Sequence, residues 1–346
     1  MHLTSPHLTS PRLINHTIER AAASLSRCAL TRHEQVIVTL SDEGYAVLLT
    51  PWAHRAAQMG WSQRVIVALD NSTFATAHML DIEERLHSRK HSSVCAVRFF
   101  PRLTMALTKD ASRSQGSGTT GRALSVYTGL AKFSMLELLV RAGHDGAGIT
   151  LSEMDVLWFT PPWAALLAAT PATASILCLD NYPAATQSTN AANIGIIHIR
   201  QDADGFARRF LIRLVAGWRE QLLASNGVVG LKVGEDQIFL NKQLRIWPED
   251  RERGRSFALL NQSQFVNTRL LEAYGRGRYK VPWPTGQALR LVKAGLPHVH
   301  LEPSLVAFHA ISVEPKVASQ GATSGLCGAL RVERSLTHPF TCPQAS

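Results

Sequence analysis

Short runs of apolar, largely β-branched residues alternate along this chain with longer stretches in which apolar residues recur every three to four positions. The first three runs are "QVIVTL" (35–40), "RVIVAL" (64–69) and "SVCAV" (93–97), and Asp42 and Asp70, which can cap helices, follow the first two. Buried parallel strands read as continuous apolar runs, whereas a spacing of three to four residues is typical of amphipathic helices. The alternation therefore predicts a doubly wound α/β sheet.

The same alternation continues through the middle of the chain. The stretch 127–143 carries an apolar stripe on one helical face, formed by Leu130, Phe133, Leu136, Leu139 and Val140, and its final glycine is suited to end a helix. The segment 234–244 has two acids, Glu235 and Asp236, in its first turn, which favour a helix N-terminus. Further strands are predicted at "GAGITLS" (146–152), "ASILCLD" (174–180), "NIGIIHIR" (193–200) and "SLVAFHA" (304–310).

Composition divides the chain into three parts. Residues 1–33 are polar and rich in Ser, Thr and Pro, which predicts a disordered N-terminal lead-in; residues 34–316 form the predicted domain; and 317–346 predict a loose C-terminal tail. No apolar stretch approaches the ~18–20 residues that span a bilayer. The N-terminal residues also lack the apolar centre of a signal peptide, so no membrane anchor is visible in this sequence.

The charge of the chain is basic. Its 346 residues carry a formal net charge of +10, with arginines concentrated in 98–122 and 245–280. A basic balance favours anionic partners such as nucleic acid, anionic lipid or nucleotide phosphates. No RNA-binding signature accompanies the arginines, so we do not expect nucleic acid, although a nucleic-acid-binding protein stays as an alternative. The five cysteines contain no C-x-x-C pair, which argues against a disulfide scaffold or a zinc finger.

Two acids stand where a predicted strand ends. Glu153 and Asp155 follow the strand 146–152, and in an extended chain residues i and i+2 point to the same side, ~6.6 Å apart. Close carboxylates repel unless a proton or cation lies between them, and an oxygen-rich site suits Mn²⁺ or Mg²⁺. Open α/β sheets bind ligands at the carboxyl ends of their strands. The pair predicts a metal site there; the alternative is that both acids merely cap the turn before Pro161.

The residues around the acid pair resemble a known family. The segment "LSEMDVLWFTPPW" (151–163) resembles "SDVDVVWLRDP" of the nucleotide-diphospho-sugar transferase family, whose plant members include arabinosyl- and xylosyltransferases acting on cell-wall glycans. Other segments are similar to that family in the same order, over roughly residues 35–316: 36–70, "AKFSMLELLVRAGHDG" (131–146), "NIGIIHIR" (193–200), "EDQIFLNKQL" (235–244) and "AFHA" (307–310).

The resemblance implies a GT-A-like fold, an α/β nucleotide-binding sandwich with a mostly parallel central sheet and helices on both faces. It implies a hexosyl- or pentosyltransferase that moves a sugar from a nucleoside diphosphate donor, which we expect to be UDP-linked, to a glycan or glycoprotein acceptor. The family uses Mn²⁺ or Mg²⁺, and its members usually work in the Golgi lumen.

The resemblance also assigns metal-binding and catalytic residues by matching position. Glu153 and Asp155 match the two acids of the family's D-x-D motif, and His309 matches the late histidine that completes the metal shell. Asp155 is also expected to be catalytic, together with Asp236 and Gln237, which match a pair that contacts sugar hydroxyls.

Binding of the donor is assigned in the same way. The expected nucleotide contacts, in addition to Glu153, are Thr39, Asp70, Lys132 and Lys316. The expected sugar contacts are Asn193 and Gly195, from the family's N-x-G segment.

Departures from the family pattern and simpler roles leave alternatives open. The first acid is Glu153 instead of Asp, an arginine expected near Phe159 is absent, and the glycine usual after His309 is missing. These departures favour, as the alternative, a catalytically inactive sugar-nucleotide- or glycan-binding pseudoenzyme. Four assigned residues also have a structural alternative, as a core histidine, a solvated lysine, a helix-end acid or a turn residue: His309, Lys132, Asp236 and Asn193.

Overall fold

The computed structural model describes residues 11–87, 93–99, 118–169, 171–181, 192–201, 205–224, 236–247, 256–267 and 306–309. Its α-helices are α1 (Pro11–Leu25), α2 (Leu49–Gln58), α3 (Asn71–His87), α4 (Gly118–Arg141), α5 (Trp163–Ala168), α6 (Phe206–Ala224) and α7 (Asp236–Arg245). Short 3-10 helices span Glu43–Leu48 and His144–Gly146. Among these helices, none combines the length and apolar character that crossing a bilayer requires.

Ten strands accompany these helices in the described residues. They are β1 (Val36–Ser41), β2 (Gln63–Ala68), β3 (Ser93–Arg98), β4 (Ile149–Ser152), β5 (Val156–Trp158), β6 (Ile176–Asp180), β7 (Ala192–Ile199), β8 (Phe257–Leu259), β9 (Phe265–Asn267) and β10 (Ala307–His309). Every strand expected from an apolar run is present; of the run 304–310 the structure describes 306–309, in which Ala307–His309 form β10.

The central sheet has seven strands in the order β3-β2-β1-β4-β7-β6-β8. Strand β7 is antiparallel to both of its neighbours, and all other neighbouring pairs are parallel. Six strands therefore place their carboxyl ends at one edge of the sheet, where the amino end of β7 joins them. We call this edge the carboxyl edge.

Each face of the sheet is covered by its own core. Because side chains alternate along a strand, Val36 and Val38 of β1 face α1, α4, α6 and α7, whereas Ile37 faces α2, α3, α5 and the smaller sheet. Helices on both faces of a mostly parallel sheet confirm the predicted α/β class.

The smaller sheet has the order β5-β10-β9 and controls where the chain's last described residues lie. Strand β10 runs antiparallel to β5, with His309 opposite Val156, and parallel to β9, with His309 opposite Asn267. Since β5 begins one residue after Asp155, this pairing carries His309 to the acid pair.

The N-terminal prediction differs from the structure. Composition predicts a disordered lead-in over 1–33, but residues 11–25 form α1, in which Ile14, Ala21 and Leu25 are buried in the core. Their spacing of seven and four residues is helical, and the Ser/Thr/Pro content of the segment masks it. The tail 317–346 lies outside the described residues, and the 34–316 boundaries stay a prediction.

Two further differences are local. Cys28, just after α1, is joined to Cys95 of β3 by a disulfide bond, with their Cα atoms 5.7 Å apart. Their scattered sequence spacing gives no sign of this pairing, because the fold alone brings the two residues together. The sequence pattern also predicts one helix over 43–60 with a kink at Pro51. The structure instead has a 3-10 helix followed by α2, and Pro51 lies in the first turn of α2, where its missing N–H costs no hydrogen bond.

Candidate metal centre

Three side chains able to ligate a metal meet at the carboxyl edge: Glu153, Asp155 and His309. Their ligand atoms all lie within 4.8 Å of one another. His309 Nε2 is 3.0 Å from Glu153 Oε2 and 3.3 Å from Asp155 Oδ1. The histidine is buried, whereas the side chains of Glu153 and Asp155 are 24% and 32% exposed. The cluster therefore opens to solvent on its carboxylate side.

A turn between β4 and β5 sets the two acids in place. The Glu153 N–H donates to the Gly195 carbonyl at 2.9 Å, and the Val156 N–H donates to the Glu153 carbonyl at 3.1 Å. Met154, between the acids, is buried in the core. The acids therefore lie in a tight turn and not in the extended chain that their spacing predicts, but they still converge on one site.

Lys132 of α4 contacts the cluster from its buried side. Its Nζ contacts Glu153 Oε1 and donates to Asp236 Oδ2 at 2.6 Å, and the side chain is only 5% exposed. Burial alone would lower the pKa of Lys132, but Asp236 and Glu153 together raise it. Burial acts to raise the pKa of Glu153, but Lys132 and His309 hold it well below its usual range. Both groups are therefore charged at neutral pH.

His309 is strongly basic in this setting. Burial acts to lower its pKa, but hydrogen bonds with Asp155 and Glu153 raise the pKa of His309 to about 9. In the absence of a cation, the imidazolium thus offsets part of the negative charge of the two carboxylates. A divalent cation that replaces the proton on Nε2 would offset more of that charge on the same three atoms.

Asp236 and Gln237 begin α7, as predicted, and Asp236 joins the cluster through Lys132. Its second oxygen, Oδ1, accepts a 2.9 Å bond from the Gln237 N–H. Asn241, which no sequence motif indicates, fixes α7 against β7: its side chain exchanges hydrogen bonds of 3.0 and 2.7 Å with the backbone of Ala192. Ala192 lies 49 residues before Asn241, so no pattern within α7 gives a sign of this contact.

The other sequence-predicted residues that the structure describes lie at or near the same edge but outside the cluster. Asp70 accepts hydrogen bonds from the N–H groups of Thr73 (2.7 Å) and Glu43 (2.6 Å), so it caps α3 and anchors the 3-10 helix. Thr39 is fully buried within β1, and its Oγ1 has no hydrogen-bond partner among the described residues. Lys316 lies outside the described residues. Asn193 and Gly195 begin β7, next to His309.

Tyr45 is a residue near the cluster that belongs to none of the sequence motifs described above. It lies on the 3-10 helix after β1 and is 37% exposed. Partial burial raises the pKa of its phenol, and the charges of Asp155 and Asp42 raise it further. An aromatic residue just after the first strand's carboxyl end is the signal that could have indicated it.

The chemistry of the three ligand atoms indicates which divalent cation the site suits. Two carboxylate oxygens and one imidazole nitrogen suit Mn²⁺, whereas Mg²⁺ prefers an all-oxygen shell that retains several waters. The exposed side of Asp155 leaves room for further ligands from outside the protein. The residues present therefore fit a divalent cation with coordination positions left open.

Comparison with known proteins gives only distant likenesses. No protein-family model matches the chain, and no curated protein matches it. Matching solved structures include the galactosyltransferase LgtC with donor and acceptor sugar analogs (12% identity, 89% of this chain, 98% of that chain, TM-score 0.44). Others are mouse xyloside xylosyltransferase 1 (12%, 81%, 98%, 0.37) and the bifunctional glycosyltransferase WbbM (12%, 82%, 47%, 0.43).

All three are glycosyltransferases, in agreement with the resemblance seen in the sequence. At 12% identity and with TM-scores below 0.5, these likenesses carry no part of the functional argument, which rests on the side chains at the carboxyl edge.

Proposed function

We propose that this chain is a divalent-metal-dependent glycosyltransferase. It would move a sugar from a nucleoside diphosphate sugar, in our proposal UDP-linked, to a glycan or glycoprotein acceptor. The supporting observation is the convergence of Glu153, Asp155 and His309 within 4.8 Å at the carboxyl edge of an α/β sheet. Two partly exposed carboxylates repel a diphosphate unless a cation lies between them, so the site fits this donor class when a metal is bound.

The three candidate ligands would bind the ion from different sides. Glu153 Oε2 and His309 Nε2 would bind it from the buried side, and Asp155 Oδ1 from the more exposed side. When bound, the ion neutralises the charge that develops on the departing diphosphate. Asp155, as the most exposed of the three, would stand nearest to the incoming donor.

Lys132 has a supporting part in this proposal. Its ammonium group is engaged by two protein carboxylates and is buried, which favours a role in keeping Glu153 ionised and in place over direct contact with a diphosphate. Asp236, which Lys132 also holds, would stand beside the sugar with Gln237. Thr39, Asp70 and Lys316 stay proposed nucleotide contacts.

The compartment proposed from the family resemblance is the Golgi lumen. The Cys28–Cys95 disulfide supports it, because disulfides persist in oxidising compartments.

Calorimetric titration with UDP, and then GDP, with and without Mn²⁺ tests the proposal. Wild type should bind one of the nucleotides only when Mn²⁺ is present, and Asp155→Ala should abolish that binding. Asp145→Ala is the matched control, since Asp145 lies in the 3-10 helix that precedes β4, away from the carboxyl edge. Absence of Mn²⁺-dependent binding to wild type, or its persistence in Asp155→Ala, would refute the proposed site.

A donor assay separates the enzyme from the alternative, a pseudoenzyme. Glu153 in place of the usual aspartate, with one oxygen engaged by Lys132, is the observation that favours the pseudoenzyme. Sugar release from a UDP-sugar, lost in Asp155→Ala, supports the enzyme. Metal-dependent UDP binding without release or transfer from any tested donor would support the pseudoenzyme.

A further inference from the structure

The segment 193–195 at the start of β7 contacts two of the three candidate metal ligands. The Asn193 side chain lies 3.0 Å from His309 Nδ1. The carbonyl of Gly195 accepts the backbone N–H of Glu153 at 2.9 Å. Asn193 is only 1% exposed, so its side chain is turned into the protein and away from any solvent-borne sugar.

The hydrogen bonds around Asn193 fix which ring nitrogen of His309 carries a proton. Asn193 Oδ1 accepts the Gly195 N–H at 2.8 Å, and Asn193 Nδ2 donates to Asn181 Oδ1 at 3.2 Å. The atom that faces His309 is therefore the amide oxygen, which has no hydrogen to give. His309 Nδ1 must be the donor, and Nε2, which points at Glu153 and Asp155, is the atom left to bind a cation.

Gly195 makes room for the same ring. A Cβ atom built on Gly195 would lie 2.2 Å from His309 Nδ1, far inside van der Waals contact. Any larger residue would displace the imidazole from its position against β7. The glycine and the asparagine thus act on one target: the glycine admits the ring and the asparagine orients it.

We propose that Asn193 and Gly195 are positioning residues that seat His309 with Nε2 towards the cation, and that they are not sugar contacts. This inference rests on the metal site of the proposed function. Groups that orient a metal-binding histidine through its other nitrogen commonly change metal affinity by about 10- to 100-fold when removed.

Calorimetric titration with Mn²⁺, without any substrate, tests whether these two residues position His309. Asn193→Leu, which removes the acceptor, should raise the Mn²⁺ Kd by about 10- to 100-fold. Asn193→Asp keeps an oxygen in the same place and should recover most of that loss. Gly195→Ala should also lose Mn²⁺, whereas Gly146→Ala, whose Cβ meets nothing within 4 Å, should bind as wild type does.

An Mn²⁺ Kd for a folded Asn193→Leu protein within about twofold of wild type would overturn the inference. Should that variant fail to fold, nitrogen NMR of the His309 ring decides in wild type loaded with Zn²⁺, a diamagnetic ion that binds both imidazole and carboxylate ligands. A proton on Nδ1 and none on Nε2 supports the proposed orientation of His309, and the reverse tautomer refutes it.

A wild type that binds neither Mn²⁺ nor Mg²⁺ would refute the proposed function, but the positioning of His309 by Asn193 could still be tested. In the metal-free protein, Asn193→Leu should then shift the His309 ring signals while Gly146→Ala leaves them in place. Unshifted His309 signals in Asn193→Leu would show that Asn193 does not position the ring.

Discussion

The ammonium group of Lys132 donates a 2.6 Å hydrogen bond to Asp236 Oδ2, although 104 residues separate the two positions. The same group contacts Glu153, so one buried cation joins α4, the start of α7 and the turn after β4. Because a buried charge left without its partner is costly, the three side chains depend on one another for stability as well as for placement at the candidate site.

Replacing Lys132 by methionine should therefore lower the free energy of unfolding by about 3–5 kcal/mol, since Glu153 and Asp236 would face each other without a cation. Urea denaturation measures the change. Arg141→Met is the control on the same helix: its pair with Glu137 is 2.9 Å long, but the arginine side chain is 53% exposed. That control should cost no more than about 1 kcal/mol. Equal losses in the two variants would show that Lys132 has no structural role.

The order of strands and helices follows from local patterns, which is why most of it could be predicted. Continuous apolar runs such as 64–69 become buried strands, and the capping acid Asp70 begins the helix after it. The site residues Glu153 and Asp155 were found for a related reason: they stand where a strand ends. These signals all lie within about ten residues of the feature that they predict.

Relationships between distant segments could not be predicted in this way. A helical stripe shows which face of α4 is buried but not that Lys132 meets two acids there. The family resemblance assigns Asn193 by position alone and gives no sign of its contact with His309, 116 residues away. Such pairings follow from how the two sheets are assembled, which no local pattern encodes.

Gly129 of α4 should not tolerate a side chain. A Cβ at this position would lie 2.7 Å from Trp218 Cζ2 and 2.9 Å from Asp236 Cβ, so α6 or α7 would have to move. We expect Gly129→Ala to reduce the free energy of unfolding by about 1–3 kcal/mol in urea denaturation, despite alanine's better helix propensity. Gly146→Ala, with open space around its Cβ, should stay within about 0.5 kcal/mol of wild type. A Gly129→Ala protein as stable as that control would contradict this packing.

The disulfide between Cys28 and Cys95 closes a loop across 67 residues and ties the end of α1 to β3. Removing it with the double substitution Cys28→Ser and Cys95→Ser should cost about 2–4 kcal/mol, chiefly because the unfolded chain regains freedom. Peptide mass mapping without reductant should find the two cysteines linked, and adding reductant should lower the melting temperature.

Cys178 provides the control for that experiment. Its thiol is buried and free, and burial raises its pKa, so it should resist thiol reagents in the folded protein. Cys178→Ser should leave the effect of reductant on the melting temperature unchanged. A melting temperature of wild type that does not respond to reductant would contradict a stabilising disulfide.

His198 of β7 should make the protein sensitive to acid. The ring is buried, its Nδ1 lies 2.9 Å from Thr150 Oγ1, and burial, followed by the charge of Arg200, lowers the pKa of His198 to about 3. The folded protein thus holds the ring neutral, whereas the unfolded chain protonates it near its ordinary pKa of about 6.5. Its contribution to stability is therefore complete above pH 6.5 and is lost as the pH falls towards 3.

The predicted consequence is a stability loss of up to about 1.4 kcal/mol per pH unit below 6.5 that His198→Gln should remove. Urea denaturation at pH 7, 5.5 and 4 measures it, as the difference between the variant and wild type at each pH. Glutamine can keep a hydrogen bond to Thr150 but cannot take up a proton in the unfolded chain. His16→Gln, on the exposed face of α1, should retain the wild-type dependence. If the His198→Gln and wild-type curves run parallel from pH 7 to pH 4, then the buried ring does not set the acid sensitivity of this fold.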